Sequence, residues 1–322
     1  MLPKQTSSIP STSLKIDKTS QLVHLFLQNQ DVKENSRQVY KRTLNIFLSW
    51  ISKKGYELST VSRVDILHYK ECMLASGMSS LTVGSYITSV RRFYEWLEAN
   101  KMYPNVAKGV KSPKRKQQFR KQALTQSQGQ ALLNDAQEKA LTAFLKEKGL
   151  RDYAIVNLLI RTGLRTVELI RANIEDVTYK GGKRVLLVHG KGRDEKDNFV
   201  VLTDKAFLPI EAYLTTRTKA KDSEPLFIST GNKSKGKRLV TRTISRIAKE
   251  GLKAIGLNNK SYTAHSLRHT TAVNILRAGG TLEAAQHVLR HSSPATTQIY
   301  TYTIKEELRL KNSAEELLDK IL

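Results

Sequence analysis

The apolar residues between Thr19 and Ala99 recur at spacings of three and four, and this pattern constrains the fold of the 322-residue chain more than any other feature. Tyr40, Leu44, Phe47, Leu48 and Ile51 form one stripe, and Val83, Ile87, Val90, Tyr94 and Leu97 form another. Residues so spaced share one face of a helix, and no alternation of period two intrudes to signal a strand. Four helices fit: one over Ser20–Gln28, the two stripes, and a shorter one over Val64–Ala75 opened by Ser59-Thr60. Ser79 or Ser80 can cap the last, because a serine hydroxyl accepts from an orphan N–H of the first turn.

Past this region the composition changes. Lys108, Lys111, Lys114, Arg115, Lys116, Arg120 and Lys121 occur with no acidic residue among them, and Pro113 breaks any helix. Both periods follow. Tyr153, Val156, Leu159 and Ile160 mark a helix ended by Gly163, and β-rich runs cover Val177–Tyr179, Arg184–Val188 and Phe199–Leu202. Gly181-Gly182 provides a hairpin turn, and Gly190–Asp197 a longer polar one. Helices resume at about Lys205–Arg217, Thr241–Ala254, Ser266–Ala278, Thr281–Leu289 and Pro294–Tyr300. The expected fold is mainly α with a small antiparallel sheet. A flexible Ser/Thr/Pro-rich arm over 1–17 precedes a helical domain over 18–107. A basic linker over 108–123 then leads to an α+β domain over 124–322.

Lys and Arg total 54 against 29 Asp and Glu, a net charge of +25. So large an excess repels itself in a compact state and serves to meet a polyanion, of which nucleic acid is the first candidate. An anionic membrane surface fits less well, since no basic amphipathic segment carries Trp or Phe on its apolar side. The basic linker reads as a segment crossing a phosphate backbone, joined as candidate DNA contacts by Arg91 and Arg92. No stretch reaches the ~18 apolar residues of a membrane helix, and the N-terminus lacks the apolar core of a signal peptide. The expected location is the cytoplasm. Cys72 is the only cysteine, which excludes an internal disulfide and a thiolate metal cluster and reads as a small core residue.

Four segments carry groups suited to chemistry on a phosphodiester. Thr162-Gly163-Leu164-Arg165-Thr166-Val167-Glu168-Leu169 places Arg165 after a helix-ending glycine, with Glu168 three residues on. Gly190-Lys191-Gly192 lies in the polar turn between strands. His265-Ser266-Leu267-Arg268-His269 puts His265 and Arg268 on one helical face. Leu289-Arg290-His291-Ser292-Ser293 is followed by Thr296-Thr297-Gln298-Ile299-Tyr300. Arginine and histidine donors stabilise charge that develops on phosphate oxygens, and a tyrosine of pKa near ~10 needs help to become a nucleophile. A zinc site is not expected. His265/His269 and His287/His291 have i,i+4 spacing, but neither pair encloses the glutamate of an H-E-x-x-H motif, and Arg268 and Arg290 repel a cation.

Taken together, TGLRTVEL, the Gly-Lys-Gly turn, HSLRH and LRHSSPATTQIYTYT resemble the tyrosine recombinase family of phage-integrase-like and Xer-like enzymes. The resemblance runs from about Lys18, and SYITSVRRFYEWLEAN looks like the end of the family's helical core-binding domain. It implies a site-specific recombinase whose two domains enclose double-stranded DNA at specific core sites. By this likeness Arg165 and Arg268 grip the scissile phosphate, Lys191 protonates the leaving 5′ oxygen, and His265 acts as base or proton organiser for Tyr300. His291 hydrogen-bonds a phosphate oxygen, Glu168 supports the site, and Tyr300 attacks to leave a 3′-phosphotyrosyl link. The link keeps the bond energy, so no metal, ATP or other cofactor is implied. Four protomers exchange strands through a Holliday junction, with accessory proteins in some systems.

Two positions depart from the family pattern. Arg290 stands where the family usually has glycine, and either shifts His291 or adds a phosphate contact. Tyr302 stands where the family often has histidine. The apolar residues of Ile304–Leu322 fit a helix packed on its own domain or on a neighbouring protomer. A DNA-binding regulator without chemistry has no use for all six of Arg165, Lys191, His265, Arg268, His291 and Tyr300. A type IB topoisomerase shares the chemistry, but the length and motif set favour recombination. With so few residues ahead of the first helix, no separate domain for distant arm sites is expected.

Overall fold

The computed structural model describes residues 11–114, 122–189, 196–291, 293–311, 315–319 and 321. The chain forms two compact units, Met1–Gln118 and Phe119–Leu322, so the division falls inside the basic stretch.

The first unit holds α1 (Ser11–Gln28), α2 (Glu34–Lys53), α3 (Arg63–Ala75) and α4 (Ser80–Ala99). Every member of the Val83–Leu97 stripe is buried, as are Leu44, Phe47 and Ile51, while Tyr40 and Leu48 pack at the margin. Aromatic rings fill the centre: Phe26 meets Phe93 edge-on at 5.4 Å, and Phe47 meets Tyr69 at 5.1 Å. Ser79 caps α4 by accepting from the Thr82 N–H. α3 begins at Arg63, one residue before the expected Val64, and is capped reciprocally by Ser62 and Asp65 rather than opened by Ser59-Thr60; Thr60 instead closes a turn onto Glu57. Residues 11–17, expected within a flexible arm, form the opening turns of α1. Cys72 is half-buried rather than a core residue, with Sγ 3.5 Å from His68 Nε2 one helical turn away. The expected linker also starts later than 108, since Val110 is buried in this core.

The second unit is built around α6 (Lys146–Thr162), in which every residue from Ala154 to Ile160 is buried. A helix apolar on all sides belongs inside a domain. α5 (Gln126–Thr142), capped by Thr125, lies beside it, with α8 (Asp204–Leu214) and α9 (Thr241–Ala254) also packed against it. After α7 (Thr166–Arg171), β1 (Val177–Lys180), β2 (Lys183–Val188) and β3 (Asn198–Val201) form an antiparallel sheet in sequence order. Leu186 pairs with Val177 on one side and Val200 on the other. The first hairpin turns at Gly181 and Gly182, both at positive φ, as a two-residue turn requires.

α10 (Ala264–Arg277), α11 (Leu282–Leu289) and α12 (Pro294–Lys311) pack on one another, with α10 also against α6. α12 runs on past Tyr300, beyond the expected Pro294–Tyr300. No helix breaker follows, Ile304 packs into the local cluster, and Glu307 pairs with Arg277 at 2.5 Å. Leu308 and Leu310, further along, are exposed, and α13 (Glu315–Leu318) follows. Among the described residues no helix is long and apolar enough to cross a membrane.

Candidate active site

Gly163 ends α6 in the left-handed conformation at φ 60°, and a Cβ there would lie 2.5 Å from Leu289 Cδ2. The glycine therefore lets α6 and the end of α11 approach closely. Arg268, from α10, bridges these two ends: its guanidinium donates to the carbonyls of Gly163 and Leu289, and the residue is only 2% exposed. Burial, reinforced by the charge of Arg165, lowers its pKa to about 9, which still leaves it cationic at neutral pH.

Two residues beyond Gly163, Arg165 opens α7. Its backbone N–H donates to Glu168 Oε2 at 2.8 Å, and its Nη1 donates to Oε1 at 2.6 Å. Glu168 is 2% exposed and takes a third bond at 2.8 Å, from Arg290 Nη2 to Oε2. Burial alone would raise the Glu168 pKa; the charge of Arg290, then the Arg165 N–H and guanidinium, outweigh it and hold the carboxyl ionised. Two guanidinium groups thus share one carboxylate, and with Arg268 close enough to feel its charge these four groups carry an excess of two positive charges. Such an excess of positive charge is suited to an anionic ligand of matching charge.

Arg290 itself caps α11 at φ 54°, ψ 48°. The residue adopts the left-handed backbone that glycine favours, and its side chain turns inward to Glu168. His291 follows, its N–H bonded to the Gln286 carbonyl and its Nδ1 2.9 Å from Thr297 Oγ1. Burial and the surrounding charges, Arg268 and Arg165 foremost, press its pKa down to about 4.

Tyr300 sits mid-way along α12 and is 4% exposed. The His269 ring meets it edge-on at 4.7 Å, and the His291 ring stacks at 6.2 Å. Burial raises the phenol pKa, while Arg268 and Arg165 pull it back, so the same cations would favour the phenolate during attack. Tyr302, two residues on, is 68% exposed.

Of the residues singled out in the sequence, Arg165, Glu168, Arg268, His291 and Tyr300 converge here. His265 is exposed in the first turn of α10, and its charge is felt by both His269 and His291. Lys191 lies outside the described residues, as do Arg115, Lys116, Arg120 and Lys121. Lys108, Lys111 and Lys114 are exposed. Arg91 reaches back to the Val110 carbonyl, and Arg92 pairs with Glu95 on its own helix, so both are engaged within the first unit. Sequence reasoning missed three partners. His269 was weighed only as half of an i,i+4 metal pair, Thr297 went unremarked inside the Thr-Thr-Gln-Ile-Tyr run, and the Arg290–Glu168 pair spans 122 residues that no local pattern links.

Comparison with known proteins identifies the family. The family model described as Phage integrase family matches residues 122–307, and that for the phage integrase N-terminal SAM-like domain matches 22–101. The tyrosine recombinase XerC of Pelobacter propionicus is 30% identical over 282 residues, covering 87% of this chain and 88% of the relative. The tyrosine recombinase XerD of Listeria innocua is 28% identical, covering 92% and 96%. Among solved structures, the XerH site-specific recombinase in a post-cleavage complex with its difH substrate superposes with a TM-score of 0.74 at 20% identity, covering 97% and 91%. The chain belongs to the phage integrase family and is a site-specific tyrosine recombinase, an enzyme that cleaves and rejoins DNA.

Proposed function

We propose that this chain exchanges strands between specific core sites in duplex DNA by attack of Tyr300 on a phosphodiester. The observation that carries this reading is Tyr300 itself, buried between two histidine rings and within the field of Arg165 and Arg268. In the proposed step the Tyr300 oxygen bonds to phosphorus as the bond to the 5′ oxygen breaks. The phenolic proton passes to His265, and Lys191 supplies a proton to the departing 5′ oxygen. Arg165 and Arg268 hold the non-bridging oxygens. Thr297 Oγ1 lies 2.9 Å from His291 Nδ1; were the hydroxyl to donate there, the ring proton would reside on Nε2, the tautomer that donates to a phosphate oxygen. The resulting 3′-phosphotyrosyl ester keeps the energy of the broken bond for religation, and reversal on a partner strand gives a Holliday junction. Four protomers acting in pairs complete the exchange in the cytoplasm, with accessory proteins where the site demands them. The exposed basic residues Lys108, Lys111 and Lys114 would take backbone phosphates.

The test is covalent capture on a nicked suicide substrate, read by denaturing electrophoresis and peptide mapping. Tyr300→Phe keeps the ring and should bind DNA without forming an adduct, whereas Tyr302→Phe should still form one. Two residues on a helix point about 200° apart, and only one can face the phosphate. An adduct from Tyr300→Phe at wild-type yield, mapped to Tyr302, overturns the assignment.

A further inference from the structure

Arg290 occupies a costly place. Its backbone is left-handed, a conformation glycine reaches freely and an L side chain adopts only when its contacts compensate. Its guanidinium is also buried: the side chain is 8% exposed, Nη1 donates to the Val288 carbonyl at 2.6 Å, and Nε is buried without a partner among the described residues. A buried cation persists only if an anion repays it, and that anion is Glu168.

The consequence falls on Arg165. Glu168 receives Arg165 on both oxygens, through Nη1 and the backbone N–H, and receives Arg290 on Oε2. Were Arg165 the sole counter-ion, that pair would carry no net charge. With Arg290 sharing the carboxylate, one positive charge is left over, and Arg268 adds another. Two positive charges match the two negative charges that gather on the non-bridging oxygens as phosphorus becomes five-coordinate. The turn at 289–291 is also a joint. The Leu289 carbonyl holds Arg268, residue 290 holds Glu168, and residue 291 is the histidine beside Tyr300.

We propose that Arg290 is a positioning residue for strand cleavage: by sharing the charge of Glu168 it leaves Arg165 cationic toward the scissile phosphate. The inference rests on the reading of Arg165 as a phosphate ligand and deepens it. In this proposal Arg290 acts through Glu168, to which its guanidinium is bonded, rather than on the nucleophile.

Three variants of the full chain separate charge from structure. Arg290→Gly keeps the left-handed turn and removes the side chain, Arg290→Gln keeps a shorter polar side chain without charge, and Arg290→Lys keeps charge. DNA affinity is measured by fluorescence anisotropy, and the single-turnover rate of covalent capture on a saturating suicide substrate is measured alongside. Arg290→Gly and Arg290→Gln should bind DNA within about threefold of wild type, since backbone contacts elsewhere dominate affinity. Both should cleave about 10–100-fold more slowly, somewhat less than the loss from deleting a direct transition-state donor. Arg290→Lys should recover most of the rate. Capture by Arg290→Gln at the wild-type rate, or Arg290→Lys as slow as Arg290→Gln, overturns the proposal, and this comparison decides the matter even if the glycine variant folds poorly. Tyr300→Phe is run in parallel. Adduct formation by that variant would remove the parent reading, whereas its silence beside a fully active Arg290→Gln removes only the role of Arg290.

Discussion

Gly163→Ala offers the most direct trial of how the site is assembled. The native φ of 60° is left-handed, which costs an L residue about 1–2 kcal/mol. The new methyl would also meet Leu289 Cδ2 at 2.5 Å and Thr271 Cβ at 3.3 Å, and overpacking of this kind costs about 1–3 kcal/mol. A central value of about 3 kcal/mol, applied to a unit of about 200 residues, lowers its melting temperature by roughly 6–12 °C. Function should suffer beyond stability, because the Gly163 carbonyl anchors Arg268 and any shift of α6 from α11 moves that guanidinium. Differential scanning calorimetry on the full chain, with suicide-substrate capture well below the transition, measures both. A transition of the second unit within 2 °C of wild type would show that the α6–α11 contact is soft and the reasoning unsound.

Other outcomes follow from the same geometry. Log affinity for DNA should fall with log salt, and replacing Lys114, Arg115 and Lys116 by Ala should flatten the slope by up to about three units if all three reach phosphate; an unchanged slope makes the stretch a plain tether. Covalent capture should survive EDTA, because in the proposed mechanism Arg165, Arg268 and Lys191 do the electrostatic work metals do in other nucleases; loss with EDTA reversed by Mg²⁺ or Zn²⁺ would refute this. His269 is 5% exposed, with a pKa lowered to about 4 by burial and by the charges of His265 and Arg277. The unfolded chain therefore binds a proton that the folded one refuses. Stability should be intact above pH ~6.5 and fall toward pH ~4 by up to about 3 kcal/mol, and His269→Gln should flatten that acid limb in urea titrations.

The local half of this protein was legible in its residues. The stripe Val83, Ile87, Val90, Tyr94 and Leu97 announced α4, because a helix is defined by neighbours three and four apart along the chain. The Gly181-Gly182 turn announced its hairpin in the same way, and the order of TGLRTVEL, HSLRH and LRHSSPATTQIYTYT announced the family. Where the reading erred, a local competitor won: Ser62 with Asp65 capped α3 in place of Ser59-Thr60, and α12 ran past Tyr300 because its outer turns found partners in Ile304 and the Glu307–Arg277 pair. Tertiary structure decided the rest. That Arg268 is buried and held by two helix-end carbonyls depends on α6 and α11 meeting at Gly163. That Arg290 serves Glu168 depends on a contact across 122 residues. The depressed pKa values of His269 and His291 have the same origin, since desolvation and the field of neighbouring charges are set by what surrounds a group in space, and a sequence orders residues only along the chain.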